Sequence, residues 1–214
     1  MDQKITALKV QKRNPNRVNV FLDGEYAFGA ARIVAAWLQV GQVLNDEKIV
    51  QLKRQDSIEV ALQKALHYLS YRVRSENEVR TRLTEGGFDT EVINLVIDRL
   101  SASELIKDSE FARQWVENRT AFRPRSRRAL AMELRQKGVT EEIIIETLEE
   151  GQDDEQMAYQ AALRYLRKLE SLDFAGFREK LGAFLGRRGF SYGTIIPVVN
   201  RVWSEIHSSG DTDE

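Results

Sequence analysis

Arginine side chains give the strongest chemical signal in this sequence. Between residues 119 and 137, seven cations accompany a single acid, Glu133; the cations are Arg119, Arg123, Arg125, Arg127, Arg128, Arg135 and Lys137. Guanidinium groups at this density repel one another, and their planar donors match phosphate and carboxylate groups. A contact surface for an anionic partner is the favoured interpretation, and a solvated face is the alternative.

These arginines belong to a repeated segment. Arg72-Val73-Arg74-Ser75 returns 51 positions later as Arg123-Pro124-Arg125-Ser126. Each serine can begin a helix, whose N-terminus adds partial positive charge beside the arginines. We therefore predict a surface that binds phosphates or acidic side chains, formed by Arg72, Arg74, Arg119, Arg123, Arg125, Arg127 and Arg128. Because exposed arginines contribute little to stability, we expect that removing Arg123, Arg125, Arg127 and Arg128 leaves the fold intact.

No residue pattern in the sequence is typical of catalysis or metal binding. Cysteine is absent, and the two histidines, His67 and His207, have no neighbouring ligand motif. A glycine-rich phosphate loop that ends in Lys-Ser or Lys-Thr is also missing. We therefore predict a protein without enzymatic activity, cofactor or metal.

Composition favours a globular protein of the cytoplasm. The 214 residues are 42% hydrophobic and 30% charged, with a net charge of −1. No run approaches the roughly 18 apolar residues of a membrane span. The first residues lack the apolar core of a secretory signal, and the absence of cysteine fits a reducing compartment.

Glycine marks a second repeat with the same period. Gly87, Gly138 and Gly189 each follow a leucine by four positions and precede an apolar residue, Phe88, Val139 or Phe190. A glycine just past a helix can adopt positive φ and close the helix, with the next apolar residue packed against an inner leucine. The pattern predicts helical repeats, each ending as helix, glycine turn and helix.

The chain divides by these signals into five segments. Alternating apolar residues and an Asp23-Gly24 turn predict a small α/β module over residues 1–56, with a short helix at 30–38 and a helix from Asn45 or Asp46 to about Arg54. Three-helix repeats follow over residues 57–107, 108–151 and 152–207, and we expect a disordered acidic tail over 208–214. The fold class is mainly α, a tandem array of three-helix repeats that we expect to be elongated and curved.

The motifs together resemble the RecX family, regulators of the RecA recombinase. The resemblance spans nearly the whole chain and is carried by Arg72-x-Arg74-Ser75-Glu76-x-Glu78, Asp108-x-x-Phe111-Ala112-x-x-Trp115-Val116-x-x-Arg119, Leu134-x-x-x-Gly138-Val139, and an N-terminal run that includes Leu22-Asp23-Gly24-Glu25-Tyr26. The chain departs from the family where Glu104-Leu105-Ile106-Lys107-Asp108 replaces Gly-Tyr-Leu-Asp-Asp. The third repeat has Phe174-Ala175-Gly176-Phe177 in place of Arg-x-Arg-Ser.

The resemblance implies a non-enzymatic modulator of RecA. Such a protein would be a monomer that lies in the groove of the RecA–DNA filament. It would limit filament growth, ATPase, strand exchange and coprotease activity in recombination, repair and the SOS response. Contact with single-stranded DNA through the basic faces is a further expectation. The alternative is a helical-repeat nucleic-acid-binding protein that has no recombinase partner.

Overall fold

The structure, a computed structural model, describes residues 2–169 and 171–208. Within this range the chain forms two compact units, one of residues up to 74 with 78–106, the other of residues 75–77 with 107 onward. The predicted tail lies outside the described residues except for Ser208, which ends the last helix. None of the described helices is long and apolar enough to cross a membrane.

The first unit opens with a four-stranded antiparallel sheet. Its strands are β1 (Gln3–Val10), β2 (Arg17–Leu22), β3 (Glu25–Ala31) and β4 (Val43–Leu44), in the order β3-β2-β1-β4. The predicted hairpin turn is confirmed, since Asp23 and Gly24 have φ of 50° and 93°. Helix α1 (Arg32–Ala35) is shorter than the predicted 30–38. Alternate β2 residues Val18, Val20 and Leu22 are buried, as the period of two requires.

Helix α2 (Asp46–Leu69) corrects the predicted end near Arg54. Asn45 caps its start as predicted, accepting a hydrogen bond from the Lys48 N–H. No glycine or proline interrupts residues 46–69, so the helix continues to propagate past Arg54. Leu52 packs in the core of the sheet, whereas Ile58 packs in the helical core that follows. The expected boundary at residue 56 therefore lies inside one helix.

A carboxylate holds α2 to the sheet at this point. The Asp56 carboxylate accepts hydrogen bonds from both terminal nitrogens of Arg17, at 3.2 and 2.8 Å, and from the backbone N–H of Ala31 at 2.6 Å. Arg17 also donates to the carbonyl of Gly29 at 3.0 Å. The partly buried pair thus ties β2, β3 and α2 together.

The predicted three-helix repeats are confirmed. Helix α2 is followed by α3 (Glu76–Glu85) and α4 (Thr90–Ala102). The second repeat contains α5 (Asp108–Phe122), α6 (Arg127–Gln136) and α7 (Glu141–Glu149). The third contains α8 (Asp154–Tyr165), which runs into a 3-10 turn (Leu166–Lys168), then α9 (Phe174–Arg187) and α10 (Tyr192–Ser208). The cores of the second and third repeats form one continuous apolar cluster.

The glycine turns close the helices as predicted. Gly87, Gly138 and Gly189 have φ of 78°, 80° and 91°. After each glycine, the next N–H donates to the carbonyl of the inner leucine; the bonds are Phe88 to Leu83 at 3.3 Å, Val139 to Leu134 at 3.1 Å and Phe190 to Leu185 at 3.3 Å. This is the six-to-one bond of a Schellman motif, which satisfies a helix-end carbonyl.

The glycine of one repeat also lies against the serine segment of the repeat before it. In the second unit, the Ser75 hydroxyl donates to the carbonyl of Lys137 at 2.7 Å, and the Ser126 N–H donates to the carbonyl of Arg188 at 3.1 Å. A Cβ added to Gly138 would lie 2.4 Å from the Cβ of Asn77, a distance that real Cβ atoms do not tolerate. The absence of a side chain at Gly138 is therefore required for packing as well as for φ.

Asp108 and Asp154 make a second repeated contact at the same places. Asp108 accepts a hydrogen bond from the Glu76 N–H at 2.8 Å, and Asp154 accepts one from the Arg127 N–H at 2.7 Å. These amides open helices α3 and α6, where four backbone donors have no partner inside the helix. Each acid begins the first helix of the following repeat, so it stabilises two helix starts at once.

We predict that Gly138→Ala destabilises the protein more than Gly87→Ala does. Both substitutions place a side chain at positive φ, which costs about 1–2 kcal/mol. At Gly87 the new Cβ would meet nothing within 4 Å, whereas at Gly138 it would displace Asn77. Denaturant titration of the two variants measures the difference. Equal losses in unfolding free energy would contradict the packing role of Gly138.

We predict that Asp108→Asn gains stability relative to the parent as pH rises. Burial raises the pKa of the Asp108 carboxyl, and the Glu76 N–H, which lowers it, only partly opposes this. A raised folded-state pKa means that the contribution of Asp108 is fully present below its unfolded pKa and is lost as pH rises through the folded value. Asparagine keeps an acceptor for the Glu76 N–H but does not titrate.

Unfolding free energies of parent and Asp108→Asn, measured between about pH 3.5 and 7, test this sign. Asp108→Ala is the control, since it does not titrate either but lacks the acceptor, and it should be about 1 kcal/mol less stable than Asp108→Asn at every pH. If the unfolding free energy of the parent rises relative to that of Asp108→Asn as pH rises, the hydrogen bond from Glu76 has a larger effect on the Asp108 pKa than burial has.

Candidate basic interaction surface

The serine segments of the basic surface sit at helix starts, as the sequence indicates. Ser126 caps α6, its hydroxyl accepting a hydrogen bond from the Ala129 N–H at 3.2 Å. Both Ser75 and Ser126 are fully buried. Arg74 precedes Ser75, whereas Ser126 has an arginine on each side, Arg125 and Arg127.

Glu133 engages two of the predicted arginines. Its Oε2 accepts from Arg119 Nε and from Trp115 Nε1, both at 2.7 Å, and its Oε1 lies 2.9 Å from Arg125 Nη1. The Arg119 guanidinium also lies over the Trp115 ring, 4.5 Å from its centre. Because Glu133 is only 14% exposed, this cluster belongs to the fold more than to the surface.

Arg127 is also part of the fold. Its Nε and Nη2 donate to the carbonyls of Gln152 and Gly151, at 3.2 and 3.1 Å, where the chain passes from α7 to α8. The expectation that all four arginines from 123 to 128 are freely exposed is corrected for Arg125 and Arg127, which make contacts within the fold. The Arg125 guanidinium pairs with Oε1 of Glu133, and the Arg127 guanidinium donates to two backbone carbonyls, so we expect loss of either side chain to cost stability.

Within the basic strip of residues 123–128, Arg123 and Arg128 are the arginines that face solvent. Both are exposed, and within residues 2–169 and 171–208 neither side chain has a hydrogen-bond or ion-pair partner. These two guanidinium groups can bind an anion without breaking an internal hydrogen bond. They are the part of the predicted strip that can act as a binding surface.

The structure adds Arg188 and Arg164 to this surface. Arg188 Nη1 donates to the carbonyl of Pro124 at 3.2 Å, which places its head between Arg123 and Arg125. Burial lowers the pKa of the Arg188 guanidinium, and repulsion from Arg125, Arg123 and Arg164 lowers it further. The sequence offered a signal for Arg188, since it precedes Gly189 as Lys137 precedes Gly138. No sequence signal pointed to Arg164.

Arg72 and Arg74 lie in the first unit, in contacts of their own. Arg72 Nη2 donates to Glu78 Oε1 at 3.0 Å, and Nη1 donates to the carbonyl of Val73 at 2.9 Å. The Arg74 guanidinium lies over the Tyr68 ring, 4.0 Å from its centre. Among the described residues, no cluster of histidine or acidic side chains could hold a metal ion.

The fold and the exposed arginines together define a class of protein. Three-helix repeats that follow a small sheet along the chain, with arginines that face solvent at helix starts, are typical of helical-repeat interaction proteins. Such a surface can bind phosphates or carboxylates through charge-assisted hydrogen bonds.

Comparison with known families places the chain within this class. The chain belongs to the RecX family of regulatory proteins. Its segments match, in order, the RecX N-terminal domain over residues 3–45 and the first, second and third RecX three-helix domains over residues 61–100, 108–148 and 153–199.

Individual relatives cover most of the chain. It is similar to regulatory protein RecX of Bacillus subtilis, with 31% identity over 98% of this chain and 80% of the relative. Regulatory protein RecX of Clostridium perfringens shows 31% identity over 93% of this chain and 96% of the relative.

Solved structures share the fold. A crystal structure of regulatory protein RecX aligns with a TM-score of 0.71 and 27% identity, over 90% of this chain and 96% of that one. RecX from Lactobacillus salivarius aligns with a TM-score of 0.61 over 69% of this chain and 97% of that one, and at 23% identity it supports the fold alone.

We predict that Glu133→Gln destabilises the protein by about 1–3 kcal/mol, because it removes the charge that Arg119 and Arg125 share. Glu141→Gln is the matched control, since its partner Arg135 and Glu141 itself are both about half exposed, at 51% and 49%. Thermal and denaturant unfolding of the two variants measure the contrast. If both variants lose the same small amount, the Glu133 cluster is a surface feature and not part of the fold.

Proposed function

We propose that this protein binds the filament that RecA forms on single-stranded DNA and modulates, mostly by inhibition, its assembly, ATPase, strand exchange and coprotease activities. Membership of the RecX family over four consecutive domains is the observation that supports this proposal. The relatives are named regulatory proteins, which agrees with a modulator that carries out no catalysis of its own. The protein would act as a monomer in the cytoplasm, in recombination, DNA repair and the SOS response.

The exposed arginines are the proposed contact to the filament. Arg123 and Arg128 have no competing partner among the described residues, and Arg188 lies near both Arg123 and Arg164. A filament offers anions of two kinds, the phosphates of its DNA and the acidic side chains of its protein. Guanidinium groups bind either in a bidentate manner.

The decisive experiment is a RecA ATPase assay on single-stranded DNA with this protein titrated in. We expect the ATPase rate to fall as the protein is added. An unchanged rate, together with direct binding of the protein to DNA, would favour the alternative of a nucleic-acid-binding repeat protein with no recombinase partner. A pull-down with DNA-free and filament-bound RecA separates the two further.

We predict that the double variant Arg123→Ala/Arg128→Ala inhibits RecA less than the parent while its melting temperature is unchanged. If the arginines bind phosphate, the log–log slope of binding against salt should fall by about 0.7 for each phosphate that the variant no longer neutralises. If they bind acidic RecA side chains, binding should weaken with a salt dependence that is independent of DNA.

Arg113→Ala/Arg178→Ala is the control, since it removes two other exposed arginines of the same unit. Full inhibition by the Arg123/Arg128 variant would identify these arginines as a solvated face, and the contact would then involve other residues.

A further inference from the structure

The first unit contains a cavity of about 490 Å³ between α2 and the end of α3. It is lined by Lys64, His67, Tyr68, Tyr71, Arg82, Glu85 and Gly86. Its size falls within the range of small-molecule sites. Three ring side chains and two cations around one cavity are an unusual combination for the outer face of a helical repeat.

One of the two tyrosines in this cavity, Tyr71, is accessible. Tyr71 is 69% exposed, and its only anchor among the described residues is His67, whose Nε2 lies 3.1 Å from the Tyr71 hydroxyl. The two rings meet edge to face, with centres 5.1 Å apart. A single T-shaped neighbour can cover at most one of the two faces of the Tyr71 ring, and at 69% exposure the other face is open to another flat ring.

Positive charge surrounds the second tyrosine. The guanidinium carbons of Arg74 and Arg82 lie 4.0 and 5.9 Å from the centre of the Tyr68 ring. The Nε of Arg74 is buried and has no hydrogen-bond partner. Glu85, the one acid of the lining, pairs with Arg82 at 3.5 Å, and both side chains are more than half exposed. Lys64 and Arg74 therefore leave the site with an excess of positive charge.

The second repeat has an acidic residue at the position that Arg82 occupies in the first repeat. At the period of 51 residues, Arg74 corresponds to Arg125 and Arg82 to Glu133. Glu133 pairs with Arg125 at 2.9 Å and with Arg119, so the arginine of the second repeat that corresponds to Arg74 has an internal carboxylate partner. With arginine in place of that glutamate, the first repeat leaves Arg74 without an equivalent carboxylate.

We propose that this cavity binds a nucleotide of single-stranded nucleic acid, with the base stacked on Tyr71 and the phosphate held by Lys64, Arg74 and Arg82. Stacking platforms beside cationic tracks are how proteins bind single strands without reading their sequence. An acidic peptide would use the cations but would leave the exposed Tyr71 ring without a role. The site is distinct from the Arg123–Arg128 surface and does not depend on RecA, so its test is independent of the proposed function.

The test is fluorescence anisotropy of the full chain with a short labelled oligothymidylate. We expect Tyr71→Ala to weaken binding by between about fivefold and 150-fold, the range for loss of one stacked base. Tyr71→Phe keeps the ring and should bind as the parent does. Tyr192→Ala is the control, since Tyr192 is equally exposed at 72% in the other unit; it should leave binding unchanged.

Charge is tested separately. Arg82→Glu reproduces the acid of the second repeat and should weaken binding and lower its salt dependence. Arg113→Glu is the control. Arg113 is also exposed and pairs with an acid three residues away, Glu110, as Arg82 pairs with Glu85, so this variant makes the same change in net charge outside the cavity. Equal losses from the two variants would reduce the effect to net charge and would overturn the proposal.

A strand of the same length that lacks bases separates the two halves of the site. On this strand the Tyr71→Ala effect should vanish, whereas the Arg82→Glu effect should persist. Competition with thymidine monophosphate distinguishes a site for free nucleotides from a site for nucleotides within a strand. If thymidine monophosphate displaces the labelled oligonucleotide, the cavity binds a free nucleotide as well, and the proposed stacking and phosphate contacts still apply. Parent-like oligonucleotide binding by both Tyr71→Ala and Arg82→Glu would overturn the proposal, as would loss of RecA binding alone, which would assign the cavity to a protein partner.

Discussion

The start of helix α6 is the constraint on which the repeat arrangement of the second unit depends. A helix start buried in a repeat protein leaves backbone N–H groups without partners, and each one costs free energy if it stays unsatisfied. Here the Ser126, Arg127 and Ala129 amides donate to the Arg188 carbonyl, the Asp154 carboxylate and the Ser126 hydroxyl. Two of these three acceptors come from the third repeat. The helix start is therefore complete only when the next repeat is folded against it, which makes neighbouring repeats mutually stabilising.

This constraint explains several residue choices that a functional interpretation alone would misassign. The glycine after α9 must lack a side chain, because a Cβ on Gly189 would lie 2.7 Å from the Ser126 hydroxyl oxygen. Arg127 completes the same junction from the other side, through the Gly151 and Gln152 carbonyls. The repeated Arg-x-Arg-Ser segment is thus first a device for joining repeats. Only the arginines that make no contact between repeats remain available to bind a partner.

The residue at one repeated position, Glu133 in the second repeat and Arg82 in the first, determines whether the neighbouring arginines have a carboxylate partner. Glu133 pairs with Arg119 and Arg125, so Arg123 and Arg128 are the arginines of the second repeat that have no internal partner among the described residues, and Arg188 lies near Arg123. In the first repeat the corresponding residue is Arg82, and the charge stays beside Tyr68. The repeats share a backbone arrangement but present different side-chain chemistry.

The sequence by itself determined the period, the glycine turns, the hairpin, the capping serine and the repeat class, because these depend on local chemistry: positive φ needs glycine, and a helix start needs a short polar side chain. It also located the cluster of arginines along the chain. It did not determine that α2 runs without interruption from Asp46 to Leu69, since a helix without breakers ends only where tertiary contacts stop supporting it. Nor did it separate Arg125 and Arg127 from Arg123 and Arg128. All four have the same chemistry, and only the tertiary structure brings Glu133, Gly151 and Gln152 to two of them, because pairing depends on distances across the fold and not on spacing along the chain.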